Sequence, residues 1–271
     1  MEMGGIMGGF YRISEWIMRF SVTNLLWVVF NIPVLFLATG LLGAETSDQI
    51  HFVFLLIAIV APFVLFPATA AMYSVVRKWV MGDADVPLVK TFWRGYKENY
   101  KQSMLGGLII VPLWIIYYID FIFYAIEISS ILRYLFIVLG VILLAFTFNF
   151  FSMTVHFHMK FWALLKNSAL ISIGKPLISA GIVIVNGVIL YISFTSFTFL
   201  LPFFTASLSA YFSFLGFYHI YNKAQQIKEK EEEKRRQEEQ EEAEAQEDID
   251  NQASHATIEE PGNGTDSQEN R

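Results

Sequence analysis

From residue 176 to residue 221 the chain contains no Asp, Glu, Lys or Arg. Few folds absorb such a stretch. A membrane-spanning helix needs about 20 apolar residues, so the stretch is far too long for one span and suits two. The segment "SFTFLLPFF" supplies the turn between them, because Pro202 disfavours helix in the residue before it. Four more apolar runs of spanning length come earlier. The spans are predicted at residues 21–43, 51–76, 104–126, 131–157, 177–196 and 202–221. Hydrophobic residues make up 55% of the chain and aromatics 16%, more than an ordinary soluble domain carries. The expected fold is all-α: a polytopic membrane bundle of six helices over residues 1–221, followed by a charged tail over 222–271.

Charge sets the orientation. The net charge of −6 is unevenly placed: residues 222–271 hold 16 acidic and 7 basic groups, the preceding body 9 and 12. An acidic tail is unsuited to nucleic acid, and no such partner is expected. Lys and Arg concentrate on the loops that stay in the cytoplasm. Arg12 and Arg19 precede span 1. Arg77, Lys78, Lys90, Arg94, Lys97 and Lys101 follow span 2, and Lys160, Lys166 and Lys175 follow span 4. Of the 19 basic residues only Arg133 falls on the other side, with Glu45, Asp48 and Glu127. Both termini are therefore expected in the cytoplasm. The first apolar run reads as a retained span, since it is long and no convincing small-x-small cleavage site follows it.

The segment between spans 2 and 3, "DADVPLVKTFWRGYKENYKQS", begins with Asp83 and Asp85 before Pro87, a helix-start pattern. Val89, Phe92, Trp93, Tyr96 and Tyr100 then share a face, with Lys90, Arg94, Lys97 and Lys101 beside or opposite them. This predicts an interfacial amphipathic helix, its aromatics at headgroup depth and its cations toward anionic lipid. "FWRGYK" at residues 92–97 has an echo in "FWALLK" at 161–166, which raises the prospect of two parallel repeats. The tail offers i,i+4 pairs such as Glu231 with Arg235 and Glu232 with Arg236, enough for a solvated helix without an apolar face. Beyond Asp248 its composition predicts disorder.

Candidate chemistry is sparse. The absence of Cys excludes disulfides, a thiol nucleophile and Cys-bound metal. No nucleotide-binding, nucleophile-elbow or metalloprotease motif occurs, so neither enzyme activity nor a cofactor is expected. Asp120 is the one acidic residue well inside a span. It reads either as a proton or cation relay or, the favoured alternative, as the partner of Arg133 in an intramembrane ion pair. His156 and His158 point about 200° apart if both are helical, which disfavours a shared metal. Asn24, Asn31, Asn149 and Asn186 are amides in or near spans, suited to hydrogen bonding across helices or, less well, to lining a polar path. Pro33, Pro62, Pro67 and Pro112 are candidate kinks.

In "PATAAMYSVVRKW", residues 67–79, Pro67, Ala70, Ala71 and Ser74 fall at i, i+3, i+4 and i+7. They form a stripe of compact side chains, the kind that lets membrane helices approach closely.

Three segments, "NLLWVVFNIPVLF" (24–36), "FPATAAMYSVVRKW" (66–79) and "FWRGYKENYKQS" (92–103), occur in this order and spacing. Together they resemble the YesL family of bacterial integral membrane proteins, over about residues 10–222. The resemblance implies a small multispan protein of the bacterial plasma membrane, of a kind often encoded beside sugar-uptake transporters. It carries over no catalytic residues, and it does not extend to the charged tail.

Two functions follow as expectations. The first is an accessory or regulatory membrane protein that partners a carbohydrate transporter, with membrane lipids as its surroundings and self-association open to it. The second is a small secondary transporter with the Asn residues and Asp120 along its path. A permease subunit of an ATP-driven importer fits less well, because its cytoplasmic loop should hold a Gly followed by a Pro-containing coupling element, a pattern that "FWALLKNSALISIGKP" fits poorly.

Overall fold

The structure is a computed structural model that describes residues 6–128 and 130–258. Among the described residues every regular element is helical. The α-helices are α1 (Ile6–Phe30), α2 (Ile32–Thr39), α3 (Ser47–Val60), α4 (Leu65–Val80), α5 (Leu88–Asp120), α6 (Ser130–His156), α7 (Phe161–Gly174), α8 (Pro176–Thr195) and α9 (Ala206–Ile258). A 3-10 turn covers Gly40–Gly43, and π-helical turns cover Phe121–Ile128 and Leu201–Thr205. Three helical stretches, Leu88–Tyr124, Ile131–His156 and Pro176–Thr195, are long and apolar enough to cross a membrane. Two bent pairs raise the number to as many as five, if each pair is one span.

Both bends have a chemical cause. Gly8–Phe30 and Ile32–Gly43 meet at 70°. Pro33 follows the break; it lacks the N–H that would bond Val29, and its ring crowds that carbonyl. Asn31 closes the end of α1 instead: its backbone N–H reaches the carbonyls of Trp27 and Val28 at 3.0 Å, and its side-chain Nδ2 donates to Trp27 O at 2.8 Å. Ser47–Val60 and Leu65–Val80 meet at 58°. There the break falls at residues 61–64, which hold Pro62 and end just ahead of Pro67. Across it Phe66 N–H reaches back five residues to Ala61 O at 3.0 Å. Thr46 opens α3 with a capping box, its hydroxyl accepting from Gln49 N–H while the Gln49 side chain accepts from Thr46 N–H.

The amphipathic segment departs from the sequence expectation. It is not a separate interfacial helix but the first turns of the 33-residue α5, which runs unbroken through Pro112. No helix-stopping signal lies between residues 88 and 103, and the glycines that follow are held in close contacts with neighbouring helices. Phe92 is buried, in ring contact with Phe30 at 5.1 Å, rather than at headgroup depth. Trp93, Arg94, Lys97 and Lys101 remain exposed, with the Lys97 ammonium 4.8 Å from the centre of the Trp93 ring.

The chain divides into two compact units, Met1–Ile220 and Tyr221–Arg271. The first holds one hydrophobic core, in which Phe66, Tyr73, Trp79, Phe92, Phe150, Phe214 and Phe217 are buried together. In the second, helix persists to Ile258, past the point where irregular chain was expected. Among the described residues there, Lys234 pairs with Glu238 at 3.2 Å, at i,i+4 spacing. Residues 259–271 lie outside the described residues.

Candidate functional site

The compact stripe on α4 faces α5. Pro67, Ala70 and Ala71 are buried and Ser74 is half-buried. A methyl group built on Gly95 would lie 2.5 Å from Ser74 Cβ and 3.4 Å from Ala71 Cα. One on Gly107 would lie 2.7 Å from Pro62 Cα. Asn99 Nδ2 donates to Ser74 Oγ at 3.1 Å, next to the Gly95 contact. The α5 glycines therefore pack directly against α4 at Ala71 and Ser74 and against the break ahead of it at Pro62, where a larger residue would not fit.

The buried amides act as cross-helix ties. Asn24 Nδ2 donates to the carbonyls of Leu201 (3.2 Å) and Pro202 (2.7 Å), and Asn24 Oδ1 accepts from Ser207 N–H at 3.0 Å. A π-helical turn leaves carbonyls out of register, and this one amide gathers both ends of it onto α1. Asn149 donates to Ser172 Oγ at 2.8 Å, tying α6 to α7. Asn186 donates to Ser213 Oγ at 2.9 Å, tying α8 to α9. The Oδ1 atoms of Asn31, Asn149 and Asn186 are buried without a hydrogen-bond partner among the described residues.

The other candidates are dispersed. Asp120 ends α5, half-buried, and Arg133 lies exposed on α6; no ion pair joins these two. α6 ends at His156, so the helical-spacing argument does not reach His158. Burial separates the two instead: His156 packs against Phe157, Phe214, Phe217 and Tyr218, while His158 is exposed.

Sequence reasoning passed over two features. Arg19, counted only as a topology signal, is 5% exposed and forms ion pairs with Glu15 and Asp85. Its guanidinium also lies 5.2 Å from the centre of the Trp16 ring, which itself contacts the rings of Phe20, Trp79 and Tyr211. The available signal was Glu15, one turn before Arg19 at i,i+4. The second feature is a cavity of about 720 Å³ between α3, α4, α5 and α6. It occupies the wedge that opens where α3 bends away from the α4–α5 seam. Phe54, Leu55, Ala58, Phe66, Ile115 and Phe151 form much of its wall. His51 Nε2 and Tyr118 OH stand 3.5 Å apart at one end of it. No periodicity in the sequence announces a space created by a bend.

The family model described as "Protein of unknown function, DUF624" matches residues 20–121. That range contains both bends, the α4–α5 seam, most of the cavity wall and Asp85, and it begins one residue after Arg19. The chain is 31% identical to the uncharacterized protein YteU of Bacillus subtilis (strain 168) over 228 residues, which is 83% of this chain and 91% of that one. It is 28% identical to the uncharacterized protein YesL of the same organism over 230 residues, 83% of this chain and 96% of that one. A shorter similarity, 26% over 132 residues, links it to the uncharacterized protein YesV. No solved structure matches. The similarity to YteU and YesL covers 83% of the chain, and the chain belongs to the YesL-like DUF624 family.

Proposed function

We propose that the chain is an accessory or regulatory component of the bacterial plasma membrane that serves carbohydrate uptake without carrying the sugar itself. In this reading it crosses the membrane six times with both termini in the cytoplasm. Each bent pair is one span, and the sixth span is the stretch from Leu201 to Ile220. The one-sided placement of Lys and Arg supports that topology.

The observation that carries the non-conduit part is the use of the buried amides. Asn24, Asn149 and Asn186 each spend their Nδ2 donors on a fixed cross-helix bond. They sit at three different helix contacts, and none of them lines the cavity. A sugar path needs polar groups that converge and are free to exchange partners. The sugar-uptake part rests on the family resemblance alone. The exposed face of Trp93, Arg94, Lys97 and Lys101 suits anionic lipid headgroups or a transporter surface.

A second reading, a small secondary transporter, draws on the buried Oδ1 atoms of Asn31, Asn149 and Asn186, which have no partner among the described residues. One pair of measurements separates the two readings. Cross-linking in native membranes followed by gentle solubilisation is expected to recover sugar-transporter subunits. Sugar flux catalysed by the purified chain alone in liposomes would sink the accessory reading and favour the second.

A further inference from the structure

We infer that the cavity between α3, α4, α5 and α6 holds the acyl tail of a bilayer phospholipid, entering sideways, with the lipid's polar end beside His51 and Tyr118. The inference does not depend on the accessory role proposed above.

Four observations point to this occupant. The space, about 720 Å³, is in the size range of small-molecule sites, roughly 300–1,000 Å³. Its few inward polar groups are already engaged. Thr69 Oγ1 donates to Leu65 O at 2.7 Å and accepts from Trp27 Nε1 at 3.0 Å. Thr147 Oγ1 donates to Leu143 O at 2.8 Å and accepts from Trp114 Nε1 at 3.2 Å. A free sugar in this space would exchange its hydrogen bonds to water for contact with hydrocarbon, so a hydrophilic occupant is disfavoured.

The polarity is one-ended. His51 and Tyr118, close enough to each other to engage one polar group together, lie at one end, and aliphatic and aromatic side chains form most of the rest. That asymmetry matches an amphiphile rather than a wholly apolar molecule. Finally, Phe54, Leu55 and Ile119 belong both to the lining and to the exposed surface of the helices. The opening thus lies on an apolar flank, where a bilayer presents acyl chains, and apolar space of this kind does not hold ordered water.

The test uses the full chain reconstituted in phosphatidylglycerol and phosphatidylethanolamine vesicles doped with a phospholipid carrying a diazirine in mid-chain. After illumination, labelled residues are mapped by mass spectrometry. Labelling of Phe54, Ala58 and Ile115 is expected to exceed that of the exposed α8 residues Ile184 and Val188 several-fold. The cavity-filling substitutions Ala58→Trp and Ile115→Trp are each expected to remove that excess and leave α8 labelling unchanged. Equal labelling at the cavity and α8, or an excess that survives both substitutions, overturns the inference. So does protection of the cavity by soluble sucrose, which would make it a sugar site. If neither variant folds, native mass spectrometry of the unaltered chain decides. Retention of a tightly held phospholipid supports the inference, and a chain that sheds all lipid overturns it.

Discussion

Arg19 of α1 and Asp85 of the α4–α5 connection are ion-paired across 66 positions of sequence, and the arginine is the buried member. Its side chain is 7% exposed, against 89% for Asp85 and 29% for Glu15. The energetics are therefore lopsided. Loss of one carboxylate leaves Arg19 paired with the other, and an exposed partner contributes about 1 kcal/mol or less. Loss of both strands a buried guanidinium, at a cost of roughly 3–5 kcal/mol. Asp85→Asn is expected to shift thermal unfolding in detergent slightly. The double variant Glu15→Gln, Asp85→Asn is expected to lower it by far more than the two single shifts combined. Additive shifts would show that packing on the Trp16 ring, not the charge, holds Arg19.

The seam makes the glycines of α5 unequal to those of α8. Gly107→Ala meets backbone at Pro62 and Gly106→Ala meets the Phe150 ring, so each is expected to cost about 1–3 kcal/mol through overpacking. Gly181 and Gly187 have nothing within 4 Å of a built methyl group. Alanine at either is expected to be neutral or mildly stabilising, by up to about 1 kcal/mol. Unfolding midpoints of the four variants in one detergent check this. A Gly107→Ala variant as stable as the parent would mean that α5 does not touch the break at Pro62 as described.

Asn24 makes three hydrogen bonds to the Leu201–Thr205 turn and the start of α9. Asn24→Ala leaves buried backbone groups unpaired and is expected to destabilise by about 1–3 kcal/mol. Asn24→Asp is expected to be worse, since a carboxylate would face two carbonyl oxygens in place of a donor. Equal tolerance of both substitutions would place the amide outside the fold's supports.

With no native Cys, single-cysteine scanning has no background. The six-span reading expects Asp48→Cys to react with an impermeant maleimide on intact protoplasts. Glu98→Cys should react only after permeabilisation. Labelling of both from one side would rule out that topology.

The parts legible in the sequence were those written as local composition. Helical class and membrane character follow from apolar runs such as residues 176–221, and family membership follows from three short segments. The stripe on α4 was readable because Pro67, Ala70, Ala71 and Ser74 repeat at helical spacing, although the opposing Gly95 and Gly107 were not paired with it. What escaped depends on contacts between distant residues. Pro33 and Pro67 mark possible kinks, but a bend of 58° or 70° depends on how freed backbone groups find new partners. The start of α5 reads as an amphipathic surface helix because its pattern is local; its burial of Phe92 depends on Phe30. Arg19 looked like one cation among many because Asp85 lies 66 positions away.

The α4–α5 seam has a consequence for how the protein behaves outside its native surroundings. Its attraction is dispersion between closely packed small residues, with the Asn99 to Ser74 hydrogen bond beside it. Such an attraction borrows nothing from the ordering of water and little from the identity of the surrounding apolar medium. The two helices are thus expected to be held by the same force in a thick bilayer, a thin one or a micelle, and the pair is expected to stay together on extraction.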